Sequence, residues 1–309
     1  MTAHLATDDP VLEQFAERVG ATGPIAVEGH RTRWDVGGPL VDGTPTVMAP
    51  AGIVEYVAEE MTVTVRAGTP VAELEAALAE QGQWTALPER GGTVGGAIAV
   101  GQNDHLRPLR GDLRATVLQV RYISAEGRIV SGGGPTVKNV SGFDIPRLIT
   151  GSLGTLGCIA EVILRTNPIP AARRWFEADD ADAFAVHAGL LAPGAVLWDG
   201  ERTHVLLAGH EPDVSADAAI LDGLGTFRGC EPPEPPSGHR WSLRPADLSN
   251  LEALDVGTFV AEVGVGVVHA EKPPPDRPLD PKVALIHDRM KVEFDPSNRL
   301  NPGRVVGAR

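Results

Sequence analysis

The sequence predicts a protein of mixed helices and strands that folds into two lobes, on three observations. The chain has 309 residues, which exceeds the usual size of one hydrophobic core, so we expect two lobes of roughly 150 residues each. Its 36 glycines and 26 prolines make up a fifth of the chain, which favours many tight turns over a helical bundle. Short strand patterns also alternate with helical patterns along the first half.

The clearest secondary-structure patterns lie in that first half. Apolar residues recur at helical spacing over residues 10–19 and predict a short amphipathic helix. Residues 62–66 alternate with the two-residue period of a half-buried strand. Thr69 as N-cap and Pro70 at the first helical position predict a helix that ends at Gly82. Further strands are predicted at 117–123, 128–131 and 159–166, the first two joined by a hairpin turn at 125–127.

After residue 170 the composition changes, and a second set of elements is predicted. The proline-rich run over residues 231–236 predicts an extended, semi-rigid loop. The other predicted elements are a helix within 179–191, a hairpin around Asp199 and Gly200, a helix near 216–224, a β-rich run over 258–268 and a final helix over 281–293.

Charge and cysteine content narrow the function classes. The formal net charge of −14 argues against nucleic acid as a partner, because polyphosphate surfaces are bound chiefly by clustered Lys and Arg. Two cysteines cannot form a disulfide framework and fit a reducing cytoplasm, which is the predicted location. We expect no signal peptide and no transmembrane segment, because no sufficiently long apolar run occurs.

Two glycine-rich segments, residues 91–101 and 151–157, are the strongest candidates for a ligand site. Glycines let the backbone approach a bulky anion, and successive N–H groups can converge on phosphate oxygens. In an acidic chain, backbone dipoles rather than a basic patch would hold a pyrophosphate. Taken singly, either segment is also consistent with simple tight turns.

Four separated motifs, at residues 91–101, 138–144, 151–157 and 301–304, resemble the flavin-binding fold of the p-cresol methylhydroxylase (PCMH) and vanillyl-alcohol oxidase superfamily. Within it they resemble the FAD-binding, E-type subunits of bacterial glycolate oxidases. The resemblance implies an α+β fold whose PCMH-type FAD-binding domain has two α/β subdomains, accompanied by a reduced cap or substrate domain. The implied boundaries are 1–170 for the FAD domain, 171–280 for the cap, and 281–309 for a C-terminal helix and tail that return to the FAD domain.

The resemblance also implies which residues contact FAD. The first group would hold the pyrophosphate and the ribityl chain, the second would line the middle of the dinucleotide, and the third would close over its other side. The backbone of Ile159 would pair with adenine, and Asn301 would reach the isoalloxazine region. The three groups are Gly92, Thr93, Gly95 and Gly96; Gly142, Phe143 and Asp144; and Gly151, Ser152, Gly154, Thr155 and Gly157.

The first flavin loop departs from the family pattern. That loop usually reads Arg-Gly-Gly-Gly-Thr, whereas here the sequence is Glu28, Gly29, His30, Arg31 and Thr32. Either Arg31 contacts the pyrophosphate through its guanidinium, or the loop no longer fits FAD, which the negative charge of Glu28 favours. Gly29, His30, Arg31 and Thr32 are therefore counted among the FAD-binding candidates. Covalent members link a histidine of this loop to the flavin, but here we expect an exposed His30 and non-covalent FAD.

The resemblance implies an FAD-dependent oxidoreductase, as an FAD-binding subunit of a glycolate oxidase-like 2-hydroxy-acid oxidase or dehydrogenase. A small-molecule substrate and companion flavoprotein and iron–sulfur subunits are implied with it. The alternative is a non-catalytic assembly or scaffold subunit that keeps the fold and has lost flavin. No catalytic residue is assigned. No metal site is predicted, because the nine histidines show no ligand spacing.

Overall fold

The computed structural model of the chain describes residues 9–88, 90–135, 144–236, 238–275 and 279–307. Short 3-10 turns lie at Ala58–Glu60 and Pro245–Ala253. The described α-helices are α1 (Pro10–Val19), α2 (Val71–Ala79), α3 (Val94–Val100), α4 (Arg107–Arg110), α5 (Leu113–Thr116), α6 (Ile145–Ile149), α7 (Ala183–Gly189), α8 (Glu211–Leu221) and α9 (Pro281–Phe294).

Most strands are short, in keeping with the high glycine and proline content. They are β1 (Ala26–Glu28), β2 (Thr46–Met48), β3 (Ile53–Val57), β4 (Thr62–Arg66), β5 (Gln83–Trp84), β6 (Val117–Ile123), β7 (Ile129–Gly133), β8 (Cys158–Arg165), β9 (Asn167–Pro168), β10 (Ala172–Ala178), β11 (Ala195–Trp198), β12 (Thr203–Gly209), β13 (Arg228–Cys230), β14 (His239–Ser242), β15 (Phe259–Glu262) and β16 (Val267–Ala270).

The chain divides into two compact units. The first unit comprises Met1–Asp104, Arg110–Ile169 and Pro278–Arg309, so the C-terminal segment belongs with the N-terminal half. The second unit comprises His105–Leu109 and Pro170–Arg277. The boundaries near residues 170 and 280 that the sequence suggested remain a prediction about functional domains. The mixed helix and strand class itself is confirmed.

The first unit is built on an antiparallel five-stranded sheet in the order β3-β4-β8-β6-β7. One large cluster of buried side chains joins this sheet to α2, α3, α5 and α6. A second cluster packs Leu12, Phe15 and Val19 of α1 against the ends of β6 and β8. The alternation of β4, buried at Val63 and Val65, lets one strand contribute to the core while its other side chains point away.

The C-terminal tail is fastened to the start of the first unit. The amide of Ile25 donates to Arg299 O at 2.9 Å, and the amide of Asn301 donates to Ile25 O at 2.8 Å. Asp295 anchors the turn between α9 and this tail, because its buried carboxylate accepts from Lys291 Nζ (2.6 Å) and from the amides of Arg299 (3.0 Å) and Leu300 (2.7 Å). The tail therefore runs beside β1.

The second unit contains a seven-stranded antiparallel sheet in the order β13-β10-β12-β11-β15-β16-β14. Buried side chains of α7 and α8 pack on one face of it. Leu106 packs with Leu197, Leu206 and Val260 in a separate cluster.

Among the described residues, each helix falls short of the length and apolarity that crossing a bilayer requires.

Several predicted elements are confirmed at close to their predicted bounds. They are the helix over 10–19, the strand over 62–66, the hairpin of β6 and β7, the hairpin of β11 and β12, and the final helix from 281.

Two local predictions were wrong. Thr69 does not cap α2, which begins at Val71, because the Thr69 hydroxyl is bonded instead to the backbone of Gly52, accepting from its amide at 2.8 Å. The helix also ends at Ala79 rather than continuing to Gly82. Within the glycine-rich segment 91–101, residues 94–100 form α3.

Candidate functional site

The first unit contains a crevice bounded by the loop after β1, by α3, by residues 153–159 and by the C-terminal tail. Two adjoining hollows form it, and they share part of their lining. The shared residues are Val27, Gly29, Thr93, Gly96, Ala99, Leu153 and Asn301.

The structure brings many of the sequence-predicted residues to this crevice. Gly92 lies at its rim, since a Cβ there would lie 2.5 Å from Thr32 Oγ1 and 3.1 Å from Arg33 Nη1. The predicted residues that line the crevice are Gly29, His30, Arg31, Thr32, Thr93, Gly95, Gly96, Gly154, Gly157, Ile159 and Asn301.

Other predicted residues serve the supporting structure. Asp144 caps α6, because its carboxylate accepts from the amide of Arg147 at 3.2 Å. The amide of Gly151 donates to Ile98 O, and the hydroxyl of Thr155 donates to Ser152 O at 2.7 Å. The two hollows are not lined by the predicted residues Asp144, Gly151, Ser152 and Thr155. Gly142 and Phe143 lie outside the described residues.

The N-terminus of α3 is held against the turn that follows β4 by the amides of α3. Val94 N donates to Thr69 O at 2.9 Å, Gly95 N to Ala67 O at 2.7 Å, and Gly96 N to the Thr93 hydroxyl at 3.2 Å. These amides are used within the protein, whereas the sequence suggested that they would converge on phosphate. The glycines instead permit close packing: a Cβ at Gly95 would lie 2.7 Å from Ala67 Cβ, and the exposed Gly96 leaves the crevice wall bare.

Residues 151–157 form the opposite wall and are fastened to α3. Besides the Gly151 bond, the amide of Leu153 donates to Ala99 O at 2.8 Å. Gly154 has φ +70°, and a Cβ there would overlap the Nδ2 atom of Asn301. A side chain at this position would therefore separate the wall from the C-terminal tail.

Asn301 joins that tail to the first loop. The residue is 6% exposed, and its Oδ1 atom accepts from the amide of Val27 at 3.2 Å. Its backbone is left-handed, with φ 45°, a conformation that asparagine tolerates better than most residues. Asn301 therefore contacts two walls of the crevice at once.

In the first loop, the charges of Glu28 and Arg31 are paired with each other. Arg31 Nε donates to Glu28 Oε2 at 3.0 Å, and Nη2 makes a second contact to the same oxygen. The Arg31 guanidinium also lies 4.7 Å from the ring centre of Trp34, with Arg304 at 4.9 Å from the same ring. Glu28 therefore does not present an uncompensated negative charge to the crevice.

Arg33 is a candidate that the sequence interpretation missed. Its Nη1 atom donates to Gly91 O at 3.1 Å, while its buried Nη2 atom has no hydrogen-bond partner among the described residues. Burial lowers the pKa of Arg33, the nearby Arg90 lowers it further, and Asp104 opposes both. A buried guanidinium nitrogen without an acceptor fits an anionic ligand. Only its position in the sequence, two residues after Arg31, hinted at this role.

The residues that line the crevice suit a flavin dinucleotide in their chemistry. Its polar part carries Arg33 and the hydroxyls of Thr32 and Thr93, which suit a pyrophosphate. The adjoining hollow is lined mostly by small or apolar residues, Ala49, Ala67 and Ile159 among them, and suits a flat ring. Side chains at the lining glycines Gly95, Gly154 and Gly157 would collide with neighbouring residues and force the walls apart.

Three further polar residues have partners of their own. His269 Nε2 lies 2.9 Å from Glu262 Oε1, and both side chains are buried in the second unit. Arg110 donates to Leu87 O at 3.2 Å and lies over the Trp84 ring. His105 makes an edge contact with Trp175. We assign none of them to the crevice.

About half of the chain is similar in sequence to known proteins. The chain is 36% identical over 166 residues to the glycolate oxidase subunit GlcE of Escherichia coli, an alignment that covers 52% of this chain and 47% of GlcE. It is 34% identical over 149 residues to the mitochondrial cytochrome-type D-lactate dehydrogenase of Arabidopsis thaliana, covering 48% of this chain and 25% of that protein. The matches thus span about half of the first relative and a quarter of the second.

The fold has a solved counterpart. A structure of alkyldihydroxyacetonephosphate synthase superimposes with a TM-score of 0.68, covering 94% of this chain and 74% of that chain at 15% sequence identity. Residues 17–133 match the family described as FAD binding domain, the segment that carries the first loop, β4 and α3. These matches confirm the resemblance noted in the sequence, and residues 17–133, somewhat over a third of the chain, are similar to an FAD binding domain.

Proposed function

We propose that the protein is an FAD-dependent oxidoreductase that serves as an FAD-binding subunit of a 2-hydroxy-acid oxidase or dehydrogenase. One observation carries the proposal. A single crevice is lined by two glycine-rich walls, by Asn301 and by Arg33, whose buried Nη2 atom has no acceptor among the described residues, and residues 17–133 match an FAD binding domain. The relatives named as a glycolate oxidase subunit and a D-lactate dehydrogenase support the substrate class.

Each wall of the crevice has a distinct part in holding the cofactor. Arg33 and Thr93 would hold the pyrophosphate, and the bare surface at Gly96 would let it approach. The hollow at Ile159 would take a ring, and Asn301 would position the neighbouring backbone. Bound FAD would supply the capacity to accept a hydride equivalent from an alcohol carbon, while the chain binds and orients it.

We propose that FAD is bound without a covalent link. His30 is exposed and lies in the loop where covalent members carry their linking histidine. Its position at the crevice makes the linkage testable. Flavin fluorescence that stays with the polypeptide on a denaturing gel would require a covalent bond, whereas we expect the fluorescence to run free.

The test of the cofactor is the visible absorption spectrum of the purified full-length chain, before and after incubation with FAD. We expect flavin bands and one FAD per chain. A colourless protein that cannot be reconstituted would instead support the alternative, a scaffold subunit that has lost flavin. The paired charges of Glu28 and Arg31 remove one reason for preferring that alternative.

The test of the substrate class is flavin bleaching without oxygen. We expect loss of the flavin bands on adding glycolate or D-lactate, and no loss with acetate, which lacks a hydroxyl group. A chain that holds FAD but is bleached by neither acid, alone or with co-purified subunits, would contradict the substrate class and leave the cofactor assignment standing.

We further propose that the chain works in the cytoplasm with companion flavoprotein and iron–sulfur subunits. The Escherichia coli relative is itself named as a subunit. Both cysteines, Cys158 and Cys230, are free thiols, which suits a reducing compartment. Affinity purification from the native host should recover an iron–sulfur protein in fixed ratio, and purification as a lone chain would contradict the assembly.

A further inference from the structure

Three potential metal ligands meet at the edge of the sheet in the second unit. Glu177 on β10 lies opposite His204 on β12, and Cys230 on β13 lies opposite Trp175 of β10. Because residues two apart on a strand point to the same face, the three side chains share a face. One carboxylate oxygen, one imidazole nitrogen and the thiol sulfur all lie within 4.8 Å of one another.

His204 is arranged as a ligand. Its Nε2 atom lies 3.1 Å from Asp199 Oδ2. A carboxylate oxygen at this distance favours the tautomer with the proton on Nε2 and the lone pair on Nδ1.

That Nδ1 atom points toward the other ligands without a partner of its own. The His204 residue is 4% exposed, and Nδ1 makes no hydrogen bond within the described part of the chain. Its distance to Glu177 Oε2 is 3.7 Å. Two ligands each about 2.1 Å from one tetrahedral ion lie roughly 3.4 Å apart, so an ion between these atoms needs little movement.

The charged neighbours leave one carboxylate oxygen of Glu177 for a cation. Arg228 holds the other oxygen, Oε1, through Nε at 3.0 Å and Nη2 at 2.8 Å, and is also paired with Asp179 at 3.2 Å. Arg202 Nη1 lies 3.4 Å from Oε2, but its Nε is 3.7 Å from Asp199 and its side chain is 44% exposed. Arg202 can therefore keep its contact with Asp199 when a cation binds Glu177 Oε2.

We propose that Glu177 Oε2, His204 Nδ1 and Cys230 Sγ bind a divalent zinc ion, with solvent in the fourth position. The mixed oxygen, nitrogen and sulfur donor set suits Zn²⁺ better than Mg²⁺ or Ca²⁺, which prefer oxygen ligands. Binding is a ligand exchange: the S–H bond of Cys230 breaks, a Zn–S bond forms in place of a Zn–water bond, and the proton passes to solvent.

The zinc site has a structural consequence that is independent of the proposed flavin chemistry. β13 is a three-residue strand at the sheet edge, and it pairs with β10 alone among the described strands. An ion shared by β10, β12 and β13 would fasten this edge.

The experiment titrates the chelator-stripped full-length chain with Zn²⁺ alone and then with Co²⁺ as an optical probe. We expect one ion per chain, a sulfur-to-cobalt charge-transfer band, and a higher melting temperature with Zn²⁺. Asp199→Asn should weaken binding by roughly 10–100-fold, as loss of an outer-shell partner does, and Cys230→Ala or His204→Gln should weaken it further.

The matched control is Cys158→Ala, which removes the other cysteine. Cys158 is buried in the first unit, and burial raises the pKa of its thiol to about 12, so zinc affinity and the cobalt band should be unchanged in this variant. Circular dichroism would confirm that each variant folds. Absence of stoichiometric binding by the unmodified chain, or equal binding by a folded Cys230→Ala variant, would overturn the proposal.

Discussion

The two long walls of the crevice are built by different means. The first loop, residues 28–34, is partly exposed and is organised by charged side chains such as the pair of Glu28 and Arg31, whose side chains are 21% and 57% exposed. The wall at residues 151–157 is mostly buried and is organised by backbone hydrogen bonds and by close packing at glycine.

This difference explains why the first loop departs from the family pattern while the second wall keeps it. An exposed ion pair contributes little to stability, so many side chains are tolerated there. A buried glycine in contact with a neighbouring side chain admits no substitute without moving that neighbour. We therefore expect substitutions in the buried wall to have larger effects than those in the exposed loop.

The largest effect is expected from Gly154→Ala. The new methyl group would overlap Asn301 Nδ2, and φ +70° is strained for alanine. We therefore expect the free energy of unfolding to fall by about 2–4 kcal/mol and the chain to lose FAD. Gly82→Ala is the matched control, since Gly82 has φ +65° with no atom within 4 Å of the added Cβ. Thermal unfolding and FAD content measure both, and equal losses would show that only backbone strain matters.

A similarly large effect is expected from Asp295→Asn, which loosens the tail that carries Asn301. We expect about 2–4 kcal/mol of destabilisation at pH 7, because Lys291 loses the carboxylate at 2.6 Å that balances its charge. Urea unfolding measures this loss. The exposed Asp288→Asn on α9 is the control and should change the free energy of unfolding only slightly.

The difference in unfolding free energy between the native chain and Asp295→Asn should depend on pH. Burial opposes ionisation of Asp295, but hydrogen bonds from Lys291, Leu300 and Arg299 outweigh it and hold its pKa below the ordinary 3.8. Its contribution is therefore complete above about pH 4 and is lost as the pH falls through the lowered folded-state pKa. The gap between the native chain and Asp295→Asn should narrow below pH 4, and a constant gap would contradict this role.

A smaller effect, confined to the ligand, is expected from Arg33→Gln. Loss of one charged hydrogen bond of about 1.5–3 kcal/mol should weaken FAD binding by roughly 10–100-fold with little change in melting temperature. Arg31→Gln is the control, because Arg31 is already paired with Glu28. Should Arg31→Gln weaken FAD binding more than Arg33→Gln, the pyrophosphate contact belongs to Arg31.

The smallest effect is expected from Glu28→Gln. Breaking an exposed ion pair should change the free energy of unfolding by less than about 1 kcal/mol and leave FAD affinity within a few-fold. Fluorescence titration with FAD measures this. A tenfold or greater gain in affinity would show that the Glu28 charge does repel the cofactor, despite its pairing with Arg31.

The sequence by itself determined the elements with strong local signals. The apolar spacing of α1, the alternation of β4 and the turn between β6 and β7 depend on neighbouring residues, and their bounds follow closely. The two glycine-rich segments also indicated which residues would line the crevice, because the spacing of glycines can be read directly from the sequence. The Thr69 cap failed for the opposite reason, since a distant loop competed for its hydroxyl.

Only the tertiary structure decided which groups meet. It placed Asn301 against Val27 and Gly154, paired Glu28 with Arg31, and left Arg33 Nη2 without an acceptor in the described structure. It also brought Glu177, His204 and Cys230 together from three strands. Partners far apart in the chain leave no local pattern, because their proximity is set by strand order and packing rather than by spacing.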